Sequence, residues 1–472
     1  MAKIYLYGGS FNPPGIHHEQ IVRALIEFKK PEDRLFIVPC GQRPDKVTTN
    51  FTLPIHRTHL IHKAFGHIPG IELDLRDFEK LPGEAFTTSS ELIEIYEDQF
   101  PNDQIVLVVG QDLIKGGKYN GSDIHCWYRG DFLWHTASFL ILTRGQQSID
   151  PGDFPHNSEI LQLDIPGSSD GIRTGISNGM NVRDLVSSDV YEYIWRHQLY
   201  TGRIPPNPTL FKLRGNALVI ADQARPKTAQ LMDVIARAYA DRRGAPNDHI
   251  IVIGGDGAML HAIQQHLHRR IPFLGFNAGT LGFLHNDGTE QELEQRLRRG
   301  ELLLYQQPVL SAHAQTTSNN RPIATALAFN EIYLKAAGNQ AVWLRVTVDG
   351  IERFSRLMGD GFMVSTVAGS SGWARSYGVC PLMIGTNNLL LTGVGTLAND
   401  RQWLTALANL HAVINIEVLD PKKRPAHLIA DGRTIAKVTN VTIRTSSTQS
   451  VELGFFRETD LAEKISRLYY PV

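Results

Sequence analysis

Two groups of residues are best suited to chemistry: an aspartate set among glycines, Gly254-Gly255-Asp256-Gly257, and a histidine pair, His17-His18. Glycines let a backbone approach a ligand closely, and a helix N-terminus behind them offers unpaired N–H groups to a phosphate. An acid at position 256 can take the proton from a hydroxyl attacking phosphorus, or hold the metal that polarises it. The histidines close the loop Gly8-Gly9-Ser10-Phe11-Asn12-Pro13-Pro14-Gly15-Ile16 and can donate hydrogen bonds to phosphate oxygens at a helix start. A third group, Ser168-Ser169-Asp170-Gly171-Ile172-Arg173, joins capping hydroxyls to an arginine one turn on, where its guanidinium can clamp a phosphate bidentately. Each has a plainer reading, namely a tight strand–helix turn, adjacent surface histidines, or a helix-surface arginine. Together they point to phosphate chemistry.

The elements that must hold these residues alternate. Lys3–Tyr7 reads as a strand, followed by a helix with Ile21, Leu25 and Ile26 at helical spacing. Arg34–Pro39 reads as a second strand, leading to a basic loop with Arg43 and Lys46, then to His56-Arg57. Phe86-Thr87-Thr88-Ser89-Ser90 opens a capped helix, and Ile105–Val109 and Phe139–Leu142 are buried strands ending in Gly110-Gln111-Asp112 and Thr143-Arg144. Such alternation predicts a parallel sheet with ligands outside its carboxyl ends. The loop from Gly8, Lys46, Asp112 and Arg144 all lie at or just after such ends.

Residues 201–212 are proline-rich without apolar periodicity and read as a stiff linker after a first domain of residues 1–200. Residues 213–300 repeat the strand–helix alternation, as an α/β lobe. From 301 to 472 the pattern becomes β-rich: Leu344, Val346 and Val348 alternate with polar neighbours, and Asp349-Gly350 and Asp431-Gly432 are hairpin signals. The fold class is α/β.

Composition narrows the partners. The 472 residues carry a net charge of −1, with 20% charged and 42% hydrophobic residues. That gives no global basic field for nucleic acid or an anionic membrane, so phosphate recognition must be local. Cys40, Cys126 and Cys380 form neither a disulfide framework nor a Cys-x-x-Cys metal spacing, which leaves a reducing, cytoplasmic setting as the expectation. The first strand breaks into glycines too early for a signal-peptide core, and no apolar run approaches the ~20 residues that span a bilayer.

Asp256 is followed by Gly275-Phe276-Asn277-Ala278-Gly279-Thr280-Leu281-Gly282-Phe283-Leu284, by Asn330-Glu331, by Gly359-Asp360-Gly361 and by Gly369-Ser370-Ser371. In this order the blocks resemble NAD kinases, which phosphorylate the ribose 2′-hydroxyl of NAD, from roughly Leu213 to the end of the chain. The resemblance implies a site between the two lobes. Asp256 would be general base or metal organiser, with Gly254, Gly255 and Gly257 admitting phosphates and Asn277 and Gly279 in the NAD-binding set. Asn330 and Glu331 would hold ribose hydroxyls, Asp360 and Gly369-Ser370-Ser371 would contact the nucleotide, and Trp373 would lie beside adenine. A buried Asn-Glu pair can also be structural. Ala258 stands where the family has threonine, and Val367-Ala368 and Ser371-Gly372-Trp373 replace Pro-Thr and Thr-Ala-Tyr. Those exchanges bear on phosphate-donor choice more than on reaction type.

Residues 1–200 resemble nicotinate or nicotinamide mononucleotide adenylyltransferases, which carry a Rossmann-like nucleotidyltransferase sheet. The resemblance lies in the Gly8–His18 loop, Lys46, His56-Arg57, Gly110-Gln111-Asp112, Trp127 and Ser168-Ser169 through Arg173. It implies AMP transfer from ATP, with Mg²⁺ and no covalent enzyme intermediate. His18 would contact the ATP phosphates in a loop built by Gly8, Gly9, Ser10 and Phe11, with Lys46 and Arg173 on the outer phosphates and Ser168 and Ser169 beside them. Gly110 and Asp112 would lie near the adenosine or metal, Trp127 near the pyridine ring, and Thr87 and Arg144 in the mononucleotide set. Where the family carries His-x-Gly-His, this chain has Gly15-Ile16-His17-His18. Neighbours on a helix do not share a face, so His17 is not an automatic substitute for the missing histidine: either the loop is rearranged so that His17 joins His18 as a catalytic residue, or this half is slow or inactive.

The two halves read as consecutive steps, one making the dinucleotide and the other phosphorylating it to NADP. Economy favours nicotinamide over nicotinate mononucleotide, since its product is NAD directly. The partners implied are ATP, the mononucleotide and NAD, with no nucleic acid or membrane, and the kinase resemblance implies a homo-oligomer. Two rivals are a kinase with a catalytically weak or regulatory nucleotide-binding N-terminal half, and a lipid kinase sharing the Gly-Gly-Asp-Gly loop.

Overall fold

The computed structural model describes residues 1–43, 52–80, 84–143, 150–242, 244–316, 322–398 and 401–470. The chain divides into two compact units, Met1–Pro205 and Pro206–Val472. Among the described residues no helix is long and apolar enough to cross a membrane.

The first unit runs β1 (Lys3–Gly9), α1 (Ile16–Phe28), β2 (Arg34–Pro39), α2 (Pro54–Phe65), β3 (Glu72–Leu73), α3 (Ser89–Gln99), β4 (Gln104–Gly110), α4 (Gly130–Thr136), β5 (Ser138–Thr143), β6 (Asn157–Gln162), α5 (Ser169–Ser177) and α6 (Ser188–Arg196). Its sheet has the order β3-β2-β1-β4-β5-β6, and every pairing is parallel. Side chains alternate across the strands, so Tyr5, Tyr7, Val106 and Val108 enter one core while Ile4, Leu6, Ile105 and Leu107 enter the other. A sheet covered on both faces needs such continuous apolar runs. Strand order reverses between β1 and β4, where a doubly wound sheet leaves a crevice at its carboxyl edge. The sequence shows only a basic stretch near His56-Arg57; the structure forms α2 there.

The second unit begins with β7 (Thr209–Lys212), β8 (Asn216–Ala221), α7 (Thr228–Ala238), β9 (Asn247–Gly254), α8 (Asp256–His266), β10 (Phe273–Asn277) and α9 (Glu290–Arg299). Then come β11 (Glu301–Thr316), β12 (Pro322–Ala328), β13 (Glu331–Ala336), β14 (Val342–Val348), β15 (Ile351–Gly359), β16 (Gly361–Ser365), a short α10 (Trp373–Ser376), β17 (Asn388–Ala398), β18 (Arg401–Asn409), β19 (Ile414–Leu419), β20 (Ala426–Ala430), β21 (Arg433–Phe456) and α11 (Leu461–Tyr469). Strands β8, β9 and β10 are parallel. The β-rich part closes on itself through β19-β14-β15-β17-β16-β13-β20-β21, because β21 also pairs with β19.

Two features differ from the expected lobes. Thr209–Lys212, expected in the linker, pairs as β7 with Glu301–Leu304 of β11. The end of the chain returns to the α/β part: Leu453-Gly454 of β21 pairs parallel with β10, and Leu461, Ile465 and Leu468 of α11 join the core of Ile250, Val252 and Ala262. The 24-residue β21 therefore serves both parts of this unit.

Candidate functional site

In the first unit two cavities open along the carboxyl edge of β1 and β4, of about 590 and 480 Å³, sharing Tyr7, Gly8, Gly9, Ser10, Gly110 and Leu113. Thr87 and Trp127 line the larger with Arg43 and Phe86. His17, His18, Asp112, Ser168, Ser169 and Arg173 line the smaller. Lys46 and Arg144 lie outside the described residues.

Of the two alternatives for the histidine pair, the structure has the one that brings the rings together. Both rings line one cavity, with centroids 3.9 Å apart. They occupy the first turn of α1, and the ring of His17 lies over Gly15. A Cβ at Gly15 would sit 2.6 Å from Cε1 and Nδ1 of His17, and one at Gly167 would sit 2.7 Å from Nδ1. Gly15 is thus what makes room for His17. The Gly15 N–H donates to Nδ1 of His18 at 3.0 Å, which leaves Nε2 as the donor nitrogen of a neutral ring.

Arg173 reaches the same cavity. Its Nη1 donates to the Asn12 carbonyl at 2.5 Å and its Nη2 to Asp170 Oδ1 at 2.9 Å. Ser168 caps α5 by accepting the Gly171 N–H, and Ser169 Oγ donates to the Pro13 carbonyl. A helix N-terminus and two polar side chains therefore face the histidines across a loop they also pin. Phe11, expected among the phosphate-binding residues, lines neither cavity. Its ring is 1% exposed and packs edge-on against Tyr7, His18 and Phe65, so apolar packing places it in the core.

Sequence reasoning missed how this loop is held. Arg57, fully buried on α2, donates through Nη2 to the carbonyls of Ser10 and Cys40 and lies over Phe78. Asp77 likewise accepts from N and Oγ1 of Thr87, fixing it at the larger cavity.

In the second unit Asp256 opens α8, and two N–H groups of the downstream glycine-rich block grip it. Phe283 donates to Oδ2 at 3.1 Å and Leu284 to Oδ1 at 2.9 Å, while Nδ1 of the buried His285 lies 3.3 Å from Oδ1. Burial pushes this carboxyl up, but the hydrogen bond and charge of His285 and the N–H groups of Leu284 and Phe283 outweigh it and hold the group below the ordinary carboxylate range. It is an ionised acceptor at neutral pH, as a base must be. Among the described residues, no atom beyond the chain neighbours and the helix's own backbone lies within 4 Å of where a Cβ on Gly255 or Gly257 would sit. Gly254 ends β9 and packs against Ala258. Asn277 uses both ends of its amide within the fold, accepting from Gly279 N and donating to Asp287.

Asn330 and Glu331 stand at the start of β13, and their backbone N–H groups, with that of Phe329, converge on the carboxylate of Asp431. Asn330 Oδ1 and Glu331 Oε2 are buried acceptors without a protein partner among the described residues. A pair of hydroxyl donors would satisfy them. Burial and the charge of Asp431 push the Glu331 carboxyl up to about 7. Asp431 is also raised, by burial, against the lowering pull of the N–H groups of Phe329, Asn330 and Glu331 and of Gln264. Its only sequence signal was the Asp-Gly hairpin, which it forms with φ of 44°.

The turn Gly369-Ser370-Ser371 packs directly on Asn330: a Cβ at Gly369 would sit 2.2 Å from the Asn330 carbonyl oxygen. Ser370, expected to contact the nucleotide, is instead fully buried, donating to Val367 O and accepting from Leu382 N. Ser371 Oγ is likewise turned back to Ala368 O. Their hydroxyls close the turn. Asp360 is not brought to Asn330-Glu331 either. Register places Glu331 opposite Ser365 and Lys335 opposite Gly361, so Asp360 lies just beyond the other end of β16, where its carbonyl accepts from Ala336 N, about 17 Å away by strand rise. Trp373 is 44% exposed and meets Tyr333 edge-on at 5.8 Å.

Comparison with known proteins bears on this second unit. A model of the ATP-NAD kinase N-terminal domain matches residues 220–300. The NAD kinase of Rickettsia akari (strain Hartford) is 34% identical over 250 residues, 53% of this chain and 96% of the relative. That of Rickettsia typhi (strain ATCC VR-144 / Wilmington) is 37% identical over 216 residues, 46% of this chain and 83% of the relative. Among solved structures, yeast NADH kinase complexed with NADH aligns at TM-score 0.46 and 16% identity, covering 56% of this chain and 89% of that one. An NAD kinase from Archaeoglobus fulgidus in complex with ATP aligns at 0.41 and 24%, covering 53% and 98%. With 34% identity across nearly the whole length of a curated relative, the chain belongs to the NAD kinases, which phosphorylate NAD to NADP.

Proposed function

We propose that this NAD kinase is bifunctional, its first unit transferring AMP from ATP to a pyridine mononucleotide to make the dinucleotide that its second unit phosphorylates. The observation that carries the reading is the pair of adjoining cavities on the β1–β4 edge. One holds Thr87 and Trp127 for a ring and ribose, and the other holds His17, His18 and Arg173 for phosphates. Their shared wall of Gly8, Gly9 and Ser10 is where two nucleotides would meet.

In the first unit the 5′-phosphate oxygen of the mononucleotide attacks the α-phosphorus of ATP and pyrophosphate leaves. Catalysis there is positioning and charge stabilisation: Nε2–H of His18, the guanidinium of Arg173 and the N-terminus of α5 face the phosphates as charge moves to the leaving group. In the second unit Asp256 accepts the proton of the NAD 2′-hydroxyl as its oxygen attacks the γ-phosphorus of ATP and ADP leaves. Asn330 and Glu331 hold the ribose. Mg²⁺, bound to ATP, would neutralise phosphate charge in both steps. Asp112 is a carboxylate fit to hold it in the first unit, since it is exposed at the phosphate cavity.

A narrower reading is favoured by the similarity to known kinases, which covers about half the chain. In it the first unit binds nucleotide with weak or no catalysis and regulates the kinase. The purified full chain with Mg²⁺, ATP and either mononucleotide separates the two. Pyrophosphate release dependent on the mononucleotide, and lost in Arg173→Ala, supports adenylyl transfer. ATP binding without release from either mononucleotide supports the narrower reading.

A further inference from the structure

The carboxylate of Asp256 is only as fixed as the two N–H groups that grip it, and these belong to a loop, residues 278–286, that a remote part of the chain holds down. Lys464 on α11 is 6% exposed. Its Nζ donates to the Gly282 carbonyl at 3.0 Å, one residue before Phe283, and to Asp287 Oδ2 at 2.6 Å. The other oxygen of Asp287 accepts from Nδ2 of Asn277 at 3.0 Å, and Oδ1 of Asn277 accepts the Gly279 N–H at 2.9 Å. Both ends of the loop are thus tied through one ammonium and one carboxylate.

Asn286 repeats the connection. Its Nδ2 donates to the carbonyls of Gly275 and Gly454, and its Oδ1 accepts from Phe456 N and Thr459 Oγ1. Asn286 is fully buried, and every one of its side-chain bonds joins the loop to the sheet or to the segment leading into α11.

We infer that Lys464 is a positioning residue of the kinase reaction, holding the 278–286 loop so that Phe283 and Leu284 aim their N–H groups at Asp256. The inference rests on Asp256 being the base. Among the described residues Lys464 bonds to Gly282 and Asp287 and to neither Asp256 nor Gly254, Gly255 or Gly257, so it acts through the loop. A buried ammonium without its partners is strongly disfavoured, so Lys464 keeps both Gly282 and Asp287 in place, with Nη1 of Arg467 3.8 Å from the same Asp287 oxygen on the solvent side. Misplacing a catalytic group by about 1 Å lowers a rate by up to ~100-fold.

The test uses the full chain and NADP formation from NAD and ATP. Lys464→Met is expected to lower kcat by ~10- to 100-fold while KM for ATP changes by less than about threefold, because the glycines over the phosphates are untouched. Lys464→Arg, which keeps the charge and the donors, is expected to restore most of kcat. Asp287→Asn, nearly isosteric, serves if Lys464→Met does not fold, and should show the same selective fall in kcat. An unchanged kcat in either folded variant, or a rise in KM for ATP with kcat preserved, overturns the inference. Asp256→Asn is the control. If it retains activity, the assignment of the base is at fault; if it is inactive while Lys464→Met is normal, only the clamp is wrong.

Discussion

The imidazole of His17 occupies the space above Gly15, so that a Cβ on Gly15 would lie 2.6 Å from the ring and 2.8 Å from Cδ1 of Ile172. A histidine introduced at position 15 should therefore fail to improve the proposed adenylyl-transfer site. Gly15→His, and even Gly15→Ala, is expected to displace His17 and lower mononucleotide-dependent pyrophosphate release by about tenfold or more. His17→Ala should lower it at least as far. A gain of activity in Gly15→His would mean that His17 is a bystander.

Arg57 holds two carbonyls that shape the first unit's cavities. Arg57→Met leaves the Ser10 and Cys40 oxygens without that donor and should destabilise the first unit by about 2–4 kcal/mol. Urea unfolding followed by a probe in residues 1–205 would register this as a lower midpoint, with kinase activity retained. Loss of NADP formation in parallel would contradict the division of labour between the units.

Glu331 ties stability to pH. Its carboxyl is pushed up from 4.5 to about 7 in the folded chain, by burial and then by the charge of Asp431. The folded state therefore keeps this proton where the unfolded state has lost it. The contribution of Glu331 to stability accordingly falls as pH rises from about 4.5 to 7 and stays low above that. Glu331→Gln should gain stability over the parent at pH 8 relative to pH 5, by up to about 3 kcal/mol. Denaturation midpoints at the two pH values give the answer, and equal differences at both would show that Glu331 titrates normally.

Gly369 admits the Asn330 carbonyl. Gly369→Ala would place a methyl 2.2 Å from that oxygen, and should move Asn330 enough to raise KM for NAD by about tenfold or more with KM for ATP little changed. Steady-state kinetics with each substrate varied in turn would distinguish this from a general loss of folding, which would affect both.

What could be read from the sequence was local. The hairpins at Asp349-Gly350 and Asp431-Gly432 follow from turn chemistry, and both residues of each adopt positive φ. The buried strands of the first sheet follow from continuous apolar runs such as Ile105–Val109. What was hidden depends on partners distant in the chain. Asp431 looks like a turn residue until its carboxylate is seen to gather N–H groups 100 to 102 positions away. Phe11 sits in a phosphate-like loop, yet its ring belongs to the core. Helical faces alone left the place of His17 open; the answer lay in a first-turn side chain flanked by Gly15 and Gly167, which can swing over the helix start. The serines at 370 and 371 carry the right chemistry, but the turn consumes their hydroxyls.

The two-step reading is tested most directly by removing the base of the second step and leaving the first intact. The full chain carrying Asp256→Asn, given Mg²⁺, ATP and nicotinamide mononucleotide, is resolved by chromatography, with nicotinate mononucleotide run in parallel. The account predicts that NAD, or its deamido form from the nicotinate, accumulates with stoichiometric pyrophosphate and no NADP, whereas the parent chain carries NAD on to NADP. If neither dinucleotide forms from either mononucleotide while the parent still converts added NAD to NADP, the first unit is no adenylyltransferase and the chain is a kinase alone.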